Sequence, residues 1–214
     1  MTSHPSDWPP PGPINLTLHD PPHASASLEW WYVNAHLDTE GGARYAVFAA
    51  FFRCERKAER SHDEPTHFHA VTWRLVDLGT GEGVTASFLE DTVMGEMRHR
   101  LATAKDMPFM KRALIEQLDE GRIPLPDRLM RERPQLPMDR LAIDMDGQRF
   151  EKLDDGRYRL SLADESRGVR LTLDFTLKTS VVRHGDDGVV RGVGAEEMFY
   201  YFCPRCDVTG SLTF

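Results

Sequence analysis

Residues 28–37, LEWWYVNAHL, and residues 44–53, RYAVFAAFFR, decide the fold of this chain. Both runs are rich in aromatic and β-branched side chains. Asp38-Thr39-Glu40-Gly41-Gly42 between them is turn chemistry, so together they predict a β-hairpin. Alternation along the first strand sends Trp30, Tyr32, Asn34 and His36 to one face and Glu29, Trp31, Val33 and Ala35 to the other. In the second strand both alternating sets are apolar: Tyr45, Val47, Ala49 and Phe51 on one side, Ala46, Phe48, Ala50 and Phe52 on the other. A strand apolar on both sides is covered on both sides, which suits a barrel with something packed outside it or lining a greasy cavity.

Working outward, residues 67–78 (HFHAVTWRLVDL) read as another strand, closed by Gly79-Thr80-Gly81. Residues 82–105 carry no decisive period. Beyond them Asp106 can cap a helix with Pro108 in its first turn, and Phe109, Met110, Ala113, Leu114 and Leu118 form its apolar stripe before Gly121. Strands resume over residues 140–145, turn through Asp146-Gly147 into residues 148–153, and return over residues 157–162. Residues 169–178 alternate cleanly, with Val169, Leu171, Leu173, Phe175 and Leu177 inward. Residues 198–202 and 208–214 close the chain as strands, and residues 1–24, Pro-rich and aperiodic, form an extended arm. The expected class is mainly β: an antiparallel barrel or sandwich of about eight strands with one helical insertion, residues 25–214 forming one domain behind the arm.

Composition narrows the function classes. The chain has 214 residues with a formal net charge of -8, an acidic balance that argues against nucleic acid, whose phosphates require clustered Lys and Arg. No run of about 18 apolar residues offers a membrane span. The polar, Pro-rich start carries no basic and apolar leader, so a cytoplasmic location is expected, with peripheral membrane association as its variant. Three cysteines, Cys54, Cys203 and Cys206, suit a reducing compartment. Cys203-Pro204-Arg205-Cys206 has redox spacing, but its flanks read as extended rather than as a helix start, so packed thiols are expected.

The candidate site lies on the aromatic strands. Trp30, Tyr32, Asn34 and His36 form an apolar wall with a few hydrogen-bonding handles, suited to an elongated hydrophobic ligand or simply to an aromatic core. His67 and His69 share a strand face with Val71 and Trp73, which leaves three readings open: metal ligation, acid–base or orienting work, and ordinary hydrogen-bonded histidines. Asp144-Met145-Asp146-Gly147 looks like the opening of a calcium loop but lacks its twelfth-position Glu, so a hairpin turn fits better. No nucleotide fingerprint and no nucleophile elbow are present, and no cofactor is expected.

Three segments together resemble the lipocalin-like carotenoid 1,2-hydratase (hydroxyneurosporene synthase) family. They are residues 26–53 with Glu29-Trp30-Trp31-Tyr32 and Phe51-Phe52-Arg53, residues 67–77, and Tyr200-Tyr201-Phe202-Cys203-Pro204-Arg205 with Val208-Thr209-Gly210. The resemblance implies a calycin-type β fold. It also implies an enzyme that hydrates an isoprenoid polyene or, as in related pericyclases (Diels-Alderases), cyclises one. Glu29, Trp30, Trp31, Tyr32, Asn34, His67, His69 and Trp73 would line the substrate site. Members of the family continue into a second barrel bearing the acidic proton donor, so a second lipocalin-like domain or a partner chain is expected alongside this one. The other readings are a non-catalytic lipocalin-type module for a lipophilic ligand and a purely structural half-domain.

Overall fold

Residues 28–55 form the hairpin that their sequence predicts. Strands β1 (Leu28–Asp38) and β2 (Arg44–Glu55) pair antiparallel without a slip from Leu28↔Cys54 to Asp38↔Arg44. The computed structural model describes residues 4–56, 66–103, 108–123, 127–191 and 197–214, which leaves Asp106 and most of the charged 55–64 loop outside the described residues. The chain divides into two compact units, residues 27–134 and residues 1–26 with 135–214. Among the described residues, no helix is long and apolar enough to cross a membrane.

The 27–134 unit is built on one sheet of order β1-β2-β3-β4-β5, where β3 is His67–Asp77, β4 is Gly83–Leu89 and β5 is Asp127–Leu129. Ladders β1–β4 are antiparallel, and the short β5 joins β4 in parallel. One face carries the core: Ala49 and Phe51 on β2, Val71 and Trp73 on β3, and Ala86 on β4 are all 1% exposed or less. Burying side chains as large as Phe51 and Val71 contributes about 1.5–3 kcal/mol each, and this holds the register. Among the described residues, the insertion between β4 and β5 contains two helices, Val93–Thr103 and Pro108–Asp119, where the sequence marks only the second. The first escapes a periodicity reading because Gly95, Arg98, His99 and Arg100 dilute its apolar stripe.

The second unit has a five-stranded antiparallel sheet of order β14-β9-β8-β7-β6. Its members are β6 (Ala142–Met145), β7 (Gln148–Lys152), β8 (Tyr158–Asp164), β9 (Val169–Leu177) and β14 (Cys206–Thr213). The inward set on β9, Val169, Leu171, Leu173 and Phe175, is buried as its alternation predicts, against Tyr158, Leu160 and Leu162 of β8. Asp146 (φ 56°) and Gly147 (φ 81°) make the β6–β7 turn in the left-handed region, and Asp144 Oδ1 accepts from Gly147 N at 2.8 Å. The calcium-like tetrapeptide is therefore a hairpin turn. The stretch 198–202 is divided at Tyr200: β12 (Glu197–Phe199) pairs with β11 (Val189–Arg191), and β13 (Tyr201–Phe202) with β10 (Val182–Arg183). Residues 4–26 belong to this unit and include one helical turn, Leu16–His19, capped by Asn15. Arg183 donates to the carbonyls of Pro10 and Gly12, and Trp8 packs at 6.0 Å from Phe199.

Candidate functional site

Strand register in the 27–134 unit converts sequence neighbours into rows across the sheet. Glu29 stands opposite Arg53, and Arg53 opposite His69; the next row is Trp31, Phe51, Val71 and Phe88, and the next Val33, Ala49, Trp73 and Ala86. Directly paired residues share a face, so this face has one charged end followed by two apolar rows. Glu29, Trp31, His67, His69 and Trp73 thus lie on one face. Trp30, Tyr32 and Asn34 lie on the other, where Trp30 and Tyr32 are half-buried and Asn34 is exposed. The structure therefore brings five of the eight expected site residues together and separates three.

The charged end is a chain of paired groups. Arg53 Nη1 donates to Glu29 Oε2 at 3.1 Å, with both side chains about nine-tenths buried (10% and 12% exposed). Arg53 Nη2 reaches His67 Nδ1 at 3.3 Å, and Thr66 Oγ1 lies 2.8 Å from the same nitrogen. His69 is held more tightly. Its Nδ1 is 2.6 Å from Glu90 Oε2, its backbone N–H donates to that same oxygen at 3.0 Å, and Glu90 N–H returns a bond to His69 O. Three contacts between two residues leave the imidazole little freedom. Glu90 is only 9% exposed at its side chain and His69 16%, so the pair sits in a shielded place. A histidine whose Nδ1 is anchored on a buried carboxylate is oriented for proton transfer at Nε2.

Arg53 and Glu90 complete this row, and neither stands out from sequence alone as a site residue. The available signal was a charged residue ending a run that is otherwise apolar: Phe51-Phe52-Arg53 on β2 and Ser87-Phe88-Leu89-Glu90 after β4. Among the described residues, no three His, Cys, Asp or Glu side chains converge as metal ligands.

A second buried polar centre lies in the other unit. Asp20, 4% exposed, accepts hydrogen bonds from Lys152 Nζ (2.8 Å), Tyr158 OH (2.6 Å) and Tyr201 OH (2.8 Å). The Tyr201 hydroxyl also lies 2.8 Å from His19 O and shares its one proton between the two acceptors. Burial, and then the Asp20 charge, pushes both phenols above their ordinary range. His19 is pushed down by burial and by the neighbouring His23, stacked at 6.0 Å. Cys203 is pushed up to about 12, first by burial and then by Cys206 and Asp20. A thiol protonated that firmly is a packing group rather than a nucleophile, and all three cysteines are free.

A model of the AttH-like family matches residues 8–214. That family is lipocalin-like. No curated protein matches the chain. Among solved structures, the crystal structure of a putative AttH from Nitrosomonas europaea superposes with a TM-score of 0.63 at 20% identity, over 96% of this chain and 52% of that one. The chain thus spans about half the length of that protein, and the likeness establishes a mainly β, lipocalin-like architecture.

Proposed function

We propose that this chain, which belongs to the AttH-like family, binds an elongated lipophilic substrate along the 27–134 sheet and transfers a proton on it through His69. The observation that carries the reading is the 2.6 Å contact between His69 Nδ1 and the buried Glu90 carboxylate, placed at the charged end of an otherwise apolar face. The central rows of this face are core, so the surface on which a long, weakly polar molecule can lie is the half-buried Trp31 edge, with a single oriented acid–base group at the charged end as its place to react. Trp31, half-buried in the row next to His69, is the side chain of this face positioned to touch such a molecule and to stabilise developing positive charge. Hydration of a double bond requires a proton at carbon, and cyclisation of a polyene requires its chain to be held folded. The His69–Glu90 pair favours the first.

The test uses cis-parinaric acid and retinol as polyene probes, followed by tryptophan fluorescence and by product chromatography. Binding should be seen with the unaltered protein, and Trp31→Ala should weaken it about tenfold, the equivalent of 1.4 kcal/mol. His69→Ala should leave binding intact and abolish conversion of any polyene that the protein transforms. Failure of both probes to bind sinks the reading. Binding without conversion of any unsaturated probe points instead to a lipocalin-type carrier.

A further inference from the structure

Arg56 is a cation without an anion. It extends β2 by one residue, its N–H donating to Thr66 O at 2.9 Å, and it stands two positions past Cys54. Alternation therefore puts it on the face of Cys54 and its neighbour Phe68, opposite to the face of Arg53 and His69. The Val93–Thr103 helix lies over that face: Arg100 stands 6.0 Å from the Phe68 ring, and the Cys54 thiol feels the charges of Arg100 and Glu96. Arg56 Nη2 meets the first turn of this helix, where a Cβ added at Gly95 would stand 3.4 Å from it. Arg56 Nε and Nη1 are shut off from solvent, and neither has a hydrogen-bond partner. The buried carboxylates nearby are engaged elsewhere, Glu90 with His69 at 2.6 Å and Glu96 with Arg100 at 3.0 Å, while Asp91 is exposed. A guanidinium withdrawn from water without a counter-charge is costly to keep, and here nothing in the surrounding packing compensates it.

The helix start beside it is also unfinished. Val93 and Met94 N–H donate to Glu90 O and Asp91 O at 3.0 and 3.1 Å. Thr92 Oγ1, in the capping position, is buried without a partner, so it does not cap the Gly95 N–H. Gly95 itself is exposed and carries no side chain, which leaves an opening where the guanidinium and the first helical turn meet. We infer that Arg56 and the first turn of the Val93–Thr103 helix bind an oxyanion at Gly95, the phosphate or carboxylate group of a small ligand. The positive charge is delocalised over the guanidinium, so an oxyanion at Nη2 neutralises the whole group, and the helix start adds its N–H groups and the positive end of its dipole. The site lies on the other face of the sheet from the His69–Glu90 pair and stands or falls separately from the proton-transfer reading. Its ligand has two sources, a free phosphate or phosphate ester and the head group of a lipophilic acid.

Thermal melts at pH 7 and constant ionic strength compare sodium phosphate, sodium octanoate and sodium chloride. At about 20 mM, an anion held with a dissociation constant of about 1 mM should raise Tm by about 4–7 °C over chloride. A rise with phosphate alone assigns the first source, a rise with octanoate alone the second, and a rise with both the oxyanion group itself. Arg56→Met keeps the bulk and removes the charge. It should abolish the rise and leave the anion-free Tm unchanged or higher, because an unpaired charge is lost with it. Gly95→Asp puts a carboxylate within reach of Nη2, and should raise the anion-free Tm while abolishing the response. No rise over chloride with either anion refutes the site, as does a rise that persists in Arg56→Met. Should Arg56→Met not fold, an undiminished rise in Gly95→Asp refutes it equally.

Discussion

Replacing Asp20 by Ala takes one carboxylate away from three donors, of which the Tyr201 hydroxyl keeps His19 O at 2.8 Å. Lys152, Tyr158 and Tyr201 converge on it at 2.6–2.8 Å, and Asp20 is 4% exposed. The Tyr158 hydroxyl, left without its acceptor, costs about 1–2 kcal/mol, and Tyr201, which keeps His19 O, about 1 kcal/mol or less. The Lys152 ammonium is 21% exposed and turns partly to water, so its loss is held to about 1 kcal/mol, below the 3–5 kcal/mol of a fully buried broken pair. The expected loss is therefore about 2–4 kcal/mol. With a urea m-value of about 2 kcal/mol/M, the midpoint should fall by about 1–2 M. Urea unfolding followed by far-UV circular dichroism measures this. Tyr158→Phe and Tyr201→Phe should each cost about a third as much, because they delete a donor and leave the carboxylate its other partners. A midpoint shift below about 0.5 M for Asp20→Ala would show that the four groups do not act as a buried hub.

Four other outcomes follow from the same structure. Cys203 (about 12, against 9.0 unperturbed), Tyr158 and Tyr201 keep protons in the folded state that the unfolded chain releases, so stability is full below about pH 9 and falls as pH rises toward 12. Thermal melts across that range should show the decline, and Cys203→Ala should flatten it. Under native conditions at pH 8, a disulfide reagent should label the half-buried Cys203 much more slowly than it does in the unfolded chain; equal rates would contradict its raised pKa. Arg53→Met should cost about 3–5 kcal/mol by leaving Glu29 buried without its cation, and Arg53→Met with Glu29→Met should recover most of it in a double-mutant cycle. In Gly210→Ala the new Cβ would stand 2.0 Å from Thr172 O, so the β9–β14 ladder must separate, at a cost of about 1–3 kcal/mol seen as faster amide exchange on β14.

Most strands were legible because their information is local. The alternation of Val169, Leu171, Leu173 and Phe175, the turn residues Asp146-Gly147 and the aromatic runs flanking Gly41-Gly42 each lie within about ten residues. The Val93–Thr103 helix was not legible, since its polar residues interrupt any stripe and its place is set by what packs on it. The division of 198–202 at Tyr200 was hidden for a related reason: Phe199 and Tyr201 pair with different strands, a choice made between segments.

By itself the sequence determined a mainly β chain, the hairpin that opens it and the histidines that share a strand face, and its Glu29-Trp30-Trp31-Tyr32 and Val208-Thr209-Gly210 segments carried a resemblance that implied a lipocalin-like fold. Tertiary structure alone decided that Glu29, Arg53, His69 and Glu90 stand at one end of one face, and that Trp30, Tyr32 and Asn34 stand on the other. It alone joined Asp20 to Lys152 and Tyr201, which are 132 and 181 residues away along the chain. The reason is physical. Side-chain direction within a strand follows from a period of two residues, but the register between strands is settled by the burial of whole faces at once, and a shift of one residue would exchange every partner in the row.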